Sequence, residues 1–302
     1  MKKNVITLLA LGFVILVPAT NFSETQNLVF VEGGSFIMGD ESGGINIDDK
    51  PLHKITLNSF YISKFEVTVQ EFKDFVKVSG YLTSTEITGE GCYIWMDNYW
   101  KHDEKTNYNN PGFLIENNHP VTCLNWWDAI KYCNWKSKKE GFPVSYNEST
   151  GDLLDNKGNI TTNVTKVKGY RLPTEAEWEF SARGGKMSKN YSFSGGNSPE
   201  LVGWISKNSG KRLHPVGTRI ANELGIYDMT GNVWEWCTDW FGFDYYANSP
   251  EKNPYNVVRN YRQVIRGGGW GGYIPFARVS FRFAESPFER SNNIGFRVCR
   301  SL

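Results

Sequence analysis

Few residues in this chain could do chemistry, and their spacing narrows what that chemistry could be. Five cysteines occur, at Cys92, Cys123, Cys133, Cys237 and Cys299. None belongs to a Cys-x-x-Cys pair, so neither a zinc ribbon nor a thioredoxin-type redox site is indicated. Their odd number leaves at least one thiol unpaired or joined to a partner chain. His53, His102, His119 and His214 stand apart, without the spacing of a zinc or iron site, and are expected to make loop hydrogen bonds. The run from Gly267 to Gly272 has no Lys-Ser/Thr behind it, which excludes a phosphate loop. Its glycines suit a backbone that passes close beneath bulky rings. No Gly-x-Ser-x-Gly elbow of a serine hydrolase is present.

One acidic loop carries more. Asp228-Met229-Thr230-Gly231-Asn232-Val233-Trp234-Glu235 supplies two carboxylates around a turn-permitting glycine. Calcium takes its oxygens from carboxylates and backbone carbonyls on such tight loops. The alternative is a solvated turn in which Glu235 caps neighbouring backbone. Further on, Trp270, Tyr273, Phe276, Arg278, Phe281 and Arg282 mix rings with guanidinium groups, a composition typical of binding anchors. Trp270 and Phe281 are expected to fill the core.

A modest set of elements must position these groups. Leu28 to Asp40 reads as two short strands around Gly33-Gly34, and Lys54 to Val67 alternates like strand. Thr68 and Glu71 form a capping box that opens a helix with Phe72, Phe75 and Val76 on its apolar face. Thr83 to Asn118 has no clear period and is expected to form long ordered loops. A second helix spans about Asn125 to Lys139, stopped by Gly141 and Pro143. Ser145 to Lys168 reads as a hairpin turning at Asn156 to Gly158. Thr174 and Glu177 cap a third, short helix that Arg183-Gly184-Gly185 ends. Short aromatic strands follow from Asn190. Without repeats, low-complexity tracts or linkers, the pattern predicts one loop-rich α+β domain.

A net charge of +1 over 302 residues gives no reason to expect nucleic acid or an anionic membrane as partner. Lys2 and Lys3 precede an apolar stretch, Ile6 to Val17, that ends in Val17-Pro18-Ala19. This predicts a signal peptide over residues 1–19, with an uncleaved anchor as the alternative. No cysteine follows Ala19 to take a lipid, and no later segment is apolar for long enough to span a membrane. The mature protein is expected to be secreted or periplasmic, where disulfides persist.

Several blocks in order resemble one family. They are Gly33-Gly34-Ser35-Phe36-Ile37-Met38-Gly39, Phe65-Glu66-Val67-Thr68, His119-Pro120-Val121 with Trp126-Trp127-Asp128-Ala129, and Tyr170-Arg171-Leu172-Pro173-Thr174-Glu175-Ala176-Glu177-Trp178-Glu179. Gly225-Ile226-Tyr227 leading into the Asp228–Glu235 loop and Trp236 comes next, then Arg266-Gly267-Gly268 running on to Gly295-Phe296-Arg297. Together they resemble the formylglycine-generating enzyme (sulfatase-modifying factor) family. The resemblance implies a C-type-lectin-like fold over residues 28–302. It also implies oxidation of a sulfatase cysteine by oxygen, using two thiols that hold copper(I), a soft ion that selects sulfur.

Those thiol positions correspond here to Gly272 and Ala277, and the family's serine after Arg-Gly-Gly to Gly269. Copper and catalysis are therefore not expected. The resemblance further implies a Cys133–Cys299 disulfide, while a second family bridge would need cysteines where Ala182 and Phe283 stand. Cys92, Cys123 and Cys237 are expected to be small buried hydrophobes, with a relocated copper site as the alternative. For calcium, the resemblance implies side-chain ligation by Asp228 and Glu235 and carbonyl ligation by Gly231 and Val233, in a structural role. The family's second calcium site has no matching aspartate between Gly195 and Gly217. The groove would be lined by Tyr273, Phe276, Arg278, Arg282 and Trp234.

Three functions follow. The first is an inert extracytoplasmic member that binds a peptide, glycan or envelope protein. The second is an active oxidase using displaced cysteines. The third is a structural subunit of an envelope or secretion assembly.

Overall fold

The two opening strands do not pair with each other. β1 (Leu28–Val31) and β2 (Gly34–Met38) part at Gly33, where any Cβ would lie 2.5 Å from the Leu57 carbonyl oxygen. β2 runs antiparallel to β3 (His53–Leu57), and β1 to β4 (Phe60–Ser63). The computed structural model describes residues 27–40, 49–96 and 99–302, so the expected signal peptide, 1–19, lies outside them.

Local caps fix the helices. α1 (Val69–Ser79) starts on the Thr68–Glu71 box and ends at Gly80 in the left-handed region. A second box, Thr83 with Glu86, opens the short α2 (Ser84–Thr88). β5 (Cys92–Met96) and β6 (Tyr99–Asp103) then pair antiparallel. The stretch expected as loops thus holds a helix and a hairpin. β5 is amphipathic, with Cys92 and Ile94 buried and Tyr93 exposed between them, while β6 is largely exposed. α3 (Trp126–Lys139) is capped by Asn125 and Asp128, and α4 (Glu175–Ala182) by Thr174 and Glu177. The hairpin expected over Ser145 to Lys168 reduces to isolated bridges, Tyr146 with Leu153 and Leu154 with Ile160. Asp155 holds its turn by accepting from the Lys157 and Asn159 amides.

The remaining strands are β7 (Trp234–Trp240), β8 (Gln263–Arg266), β9 (Arg282–Glu285), β10 (Ile294–Gly295) and β11 (Cys299–Ser301). One sheet has the order β10-β7-β8-β9, and β11 joins β1 and β4 in another. A core of Phe72, Phe75, Trp126, Tyr132 and Phe296 lies between α1 and α3. A second, with Val31, Ile55, Trp178, Met229 and Val264, lies around α4. Short helices and strands joined by long ordered loops make an α+β domain, as the pattern of elements along the chain predicts.

α4 is buried on every side, its glutamates included. Each carboxylate meets a buried arginine. Arg171 binds Glu177 at 2.6 Å, Arg282 binds Glu175 at 2.6 Å, and Arg266 binds Glu179. On β7, Arg297 holds both oxygens of Glu235 at 2.6 Å. The planar guanidinium fork matches a carboxylate with two parallel bonds, which makes such burial tolerable.

The cysteines depart from expectation. Cys92 and Cys123 are joined in a disulfide that ties β5 to the segment before α3. They are fully buried, as expected, but they are not free thiols. The bridge implied between Cys133 and Cys299 is not formed, and both are free and buried. Cys133 packs into the core between α1 and α3, and Cys299 into the core around α4. The Cys299 sulfur lies 2.8 Å from an Arg171 nitrogen and faces the Leu172 carbonyl. Burial pushes both thiols up in pKa, which keeps them protonated and inert.

Candidate functional site

The aromatic side chains converge where the glycine run leaves β8. Gly267 and Gly268 take φ of 95° and 73°, a conformation glycine adopts without strain. A Cβ on Gly268 would sit 3.0 Å from the Phe276 carbonyl oxygen and from the Ala277 Cα. The bare glycine lets the strap around Tyr273 to Ala277 fold back against the strand end. Beside this strap opens a pocket of about 660 Å³.

Three walls enclose it. Trp234, at the start of β7, stands 5.7 Å from the Phe283 ring and 6.1 Å from Phe281. Tyr273 and Phe276 of the strap pack edge-on at 5.9 Å. Tyr93, Trp95 and Trp100 of the β5–β6 hairpin form the third wall, with Trp95 and Trp100 a cross-strand pair at 5.1 Å. The hairpin is held by the Tyr93 amide to the Arg290 carbonyl (2.8 Å), by the Asn292 amide to the Tyr93 carbonyl (2.9 Å), and by the Cys92–Cys123 disulfide. A Cβ on Gly271 would lie 3.3 Å from Trp95, so the glycine sets the distance between strap and hairpin.

The polar part is small and acidic. Glu285, Glu289, Ser291 and Asn293 complete the lining. Burial is the first cause that raises both carboxyl pKa values, and the charge of Glu285 helps to push Glu289 up to about 7. Arg262 and Arg290 offset this in part. Arg290, however, is committed to Glu90 at 2.6 Å.

Of the five residues expected to line a groove, Trp234, Tyr273 and Phe276 meet here. Arg278 and Arg282 do not. Arg278 binds Asp40 at 2.8 Å. Arg282 is fully buried against Glu175, with its guanidinium 4.2 Å from the Tyr246 ring centre. Strand alternation explains the correction: Arg282 and Ala284 face inward, while Phe283 and Glu285 face the pocket. Trp270 and Phe281 are buried, as expected, yet both still edge the pocket. Of the positions matching the family's thiols, Gly272 lines the pocket, whereas Ala277 is buried beside Phe193, Val202 and Ile205.

The acidic loop is tightly built. A Cβ on Gly231 would lie 2.1 Å from the Trp204 carbonyl oxygen, so only glycine fits. Asp228 accepts from the Gly217 amide at 2.6 Å through one oxygen, while its other oxygen is buried without a partner. One oxygen of the nearby Glu66 is likewise orphaned. Burial raises both carboxyls, Asp228 to about 6. This all-oxygen set has the chemistry a calcium ion favours. The fit is partial, because both Glu235 oxygens are already engaged by Arg297, and one also accepts from the Trp178 indole at 2.8 Å. Among the described residues no three His, Cys, Asp or Glu side chains converge on one point. Asp228, Gly231 and Val233 are left as the available ligands. Neither capping of neighbouring backbone by Glu235 nor a solvated turn describes this buried ion pair.

Sequence reasoning missed Tyr93, Trp95, Trp100, Glu285 and Glu289. The signal for the first three was the alternation Cys92-Tyr93-Ile94-Trp95, masked by the glycines, asparagines and charges around it. The two glutamates carry no local pattern.

Comparison with known proteins agrees with this architecture. Residues 15–302 match the model of the sulfatase-modifying factor enzyme 1-like domain. The chaperone protein LppX of Paenibacillus barcinonensis is 34% identical, with 93% of this chain and 91% of that one aligned. The formylglycine-generating enzyme of Streptomyces coelicolor is 30% identical over the same shares, 93% and 91%. Among solved structures, PvdO from Pseudomonas aeruginosa superposes with a TM-score of 0.69 at 26% identity, over 91% of this chain and 94% of that one. The chain belongs to the sulfatase-modifying factor enzyme 1-like family and carries its fold.

Proposed function

We propose that this protein is an extracytoplasmic binding member of its family, without oxidase activity, that holds a ligand in the aromatic pocket beside Gly272. One observation carries this reading. The pocket lies along the Arg-Gly-Gly segment, and the side chain that would present sulfur there is the hydrogen of Gly272. A soft ion such as copper(I) needs thiolate donors. Cys92, the neighbour of Tyr93 in the pocket wall, is oxidised with Cys123 and buried. That disulfide supports an oxidising compartment, as does the sequence of residues 1–19. No helix among the described residues is long and apolar enough to cross a membrane.

Incubation of the pure protein with a Cys-x-Pro-x-Arg peptide, copper and oxygen tests the inert reading. No aldehyde is expected by mass spectrometry. Conversion that vanishes on replacing Cys92, Cys123 or Cys237 would restore the oxidase.

The likeness to a protein named as a chaperone favours a second reading, in which the ligand is a segment of a client protein. Co-purification that survives pocket substitutions would instead support a structural subunit. We also propose a structural calcium ion on the Asp228 loop, held by Asp228 and the Gly231 and Val233 carbonyls. Its support is the orphaned Asp228 oxygen. Calcium should raise the melting temperature at pH 7.5, and the Asp228→Asn variant should lose that response. An unchanged melting temperature in wild type removes the ion.

A further inference from the structure

Granting the groove its binding role, we infer that its occupant is an organic cation of low hydration, an alkylated ammonium group seated against the rings with Glu285 and Glu289 as counter-charges. Three features of the pocket point the same way.

The walls are aromatic on every side. Trp95, Trp100, Trp234, Tyr273 and Phe283 come from three separate parts of the chain and all line one cavity. The face of each ring carries negative potential and attracts a cation placed over it, most strongly for Trp. Among the described residues the cation–ring contacts fall elsewhere, on rings such as Tyr81, Trp135, Trp204 and Tyr246.

The charge in the pocket is of one sign. Among the described residues, Glu285 and Glu289 are the carboxylates that line it, and no lysine or arginine does. Around α4 and at the start of β7, by contrast, the buried glutamates Glu175, Glu177, Glu179 and Glu235 each have a guanidinium partner. Glu289 has only the electrostatic help of Arg290, which binds Glu90, and Glu285 only that of Arg262. An acidic pocket repels an anionic ligand and is incomplete without a cation.

The pocket offers few hydrogen-bond acceptors. Beyond the two carboxylates, the described lining offers the Ser291 and Asn293 side chains and the hydroxyls of Tyr93 and Tyr273. A primary ammonium brings three donors and a tight hydration shell. Entering this cavity would leave most of those donors unmet. An alkylated ammonium has few or none, and its methyl groups pack against rings. The volume, about 660 Å³, leaves room for an apolar body attached to the charged group.

The test compares two molecules of one shape. Phenyltrimethylammonium and its neutral isostere tert-butylbenzene are titrated into the full chain, with binding read by calorimetry and by tryptophan fluorescence. The cation is expected to bind at pH 8 about ten-fold or more tighter than the isostere. The Glu285→Gln/Glu289→Gln variant should lose that preference while keeping its affinity for tert-butylbenzene. Trp95→Ala should weaken both ligands. Cation affinity should fall from pH 8 to pH 5, because Glu289, faced by Glu285 and Arg290, takes up a proton below about 7. Because both changes put glutamine at half-buried sites, the single Glu289→Gln variant serves as a second arm, with its fold checked by melting. Equal affinity for the two molecules overturns the cation and leaves the groove a binding site. A preference undiminished by the glutamine variants overturns it too. Binding of neither molecule removes the cation and, with it, the support for an aromatic ligand site.

Discussion

Two regions of this domain treat charge in opposite ways. Around α4 and the start of β7, each of the buried glutamates Glu175, Glu177, Glu179 and Glu235 is matched by a buried arginine, Arg171 from nearby in the chain and Arg266, Arg282 and Arg297 from far along it. In the aromatic pocket, two half-buried glutamates stand together without such a match. The first region is complete within the chain, and its charges fix positions. The second has charge left over, and leftover charge next to open space is how a protein attracts something from outside. The same residue type therefore serves as framework in one place and as bait in another, and its partners decide which.

The largest effect that would sharpen this contrast comes from breaking a framework pair. Arg297→Ala leaves Glu235 buried beside Glu66 and Asp228 without its guanidinium partner, and should cost about 3–5 kcal/mol in urea unfolding. A loss under about 1 kcal/mol, the range of exposed ion pairs, would show that water enters and that the framework is not sealed.

Next in size is the disulfide. Replacing Cys92 and Cys123 by serine opens a crosslink spanning 31 residues and should cost about 3 kcal/mol. Because that crosslink holds the Tyr93–Trp95 wall, hydrogen exchange should quicken in the hairpin and not in α4. Equal quickening in both regions would merge the two.

A smaller effect has a definite sign. Glu289 has a folded pKa of about 7 against an ordinary value of 4.5. The folded state thus holds its proton more tightly than the unfolded one does. The stability this provides is full below about pH 4.5 and is lost as pH rises through 7. Glu289→Gln should therefore match wild type in melting temperature at pH 4 and exceed it at pH 8. A gain present at both values would assign the effect to packing instead.

Smallest of all, Tyr273→Ala, at a side chain 69% exposed, should change stability by less than about 0.5 kcal/mol. Its effect is expected in ligand affinity alone.

How much of this was legible in the sequence depended on distance along the chain. The capping boxes at Thr68 and Thr174 join residues three apart, so their helices could be read directly. The family blocks led to the correct fold and put Trp234, Tyr273 and Phe276 in one neighbourhood. The α4 pairs could not be read the same way: Glu175 and Arg282 lie 107 residues apart, and a composition balanced to +1 hides them. Arg282 was taken for a groove residue because nothing local shows which face of its strand is inward. The disulfide was misassigned for a related reason. The resemblance indicated Cys133 and Cys299, whereas the β5–β6 hairpin that brings Cys92 to Cys123 was obscured by the polar residues around it.

The helix α4 has a consequence for how the chain comes together during synthesis. Its three acidic side chains are made early, yet two of their countercharges, Arg266 and Arg282, are made about a hundred residues later. Until those strands emerge, the helix cannot be enclosed without stranding negative charge in an apolar interior. The domain must therefore wait, open around this helix, for its last third to be translated. A ribosome stalled before Arg266 would hold a product that helper proteins recognise as unfinished.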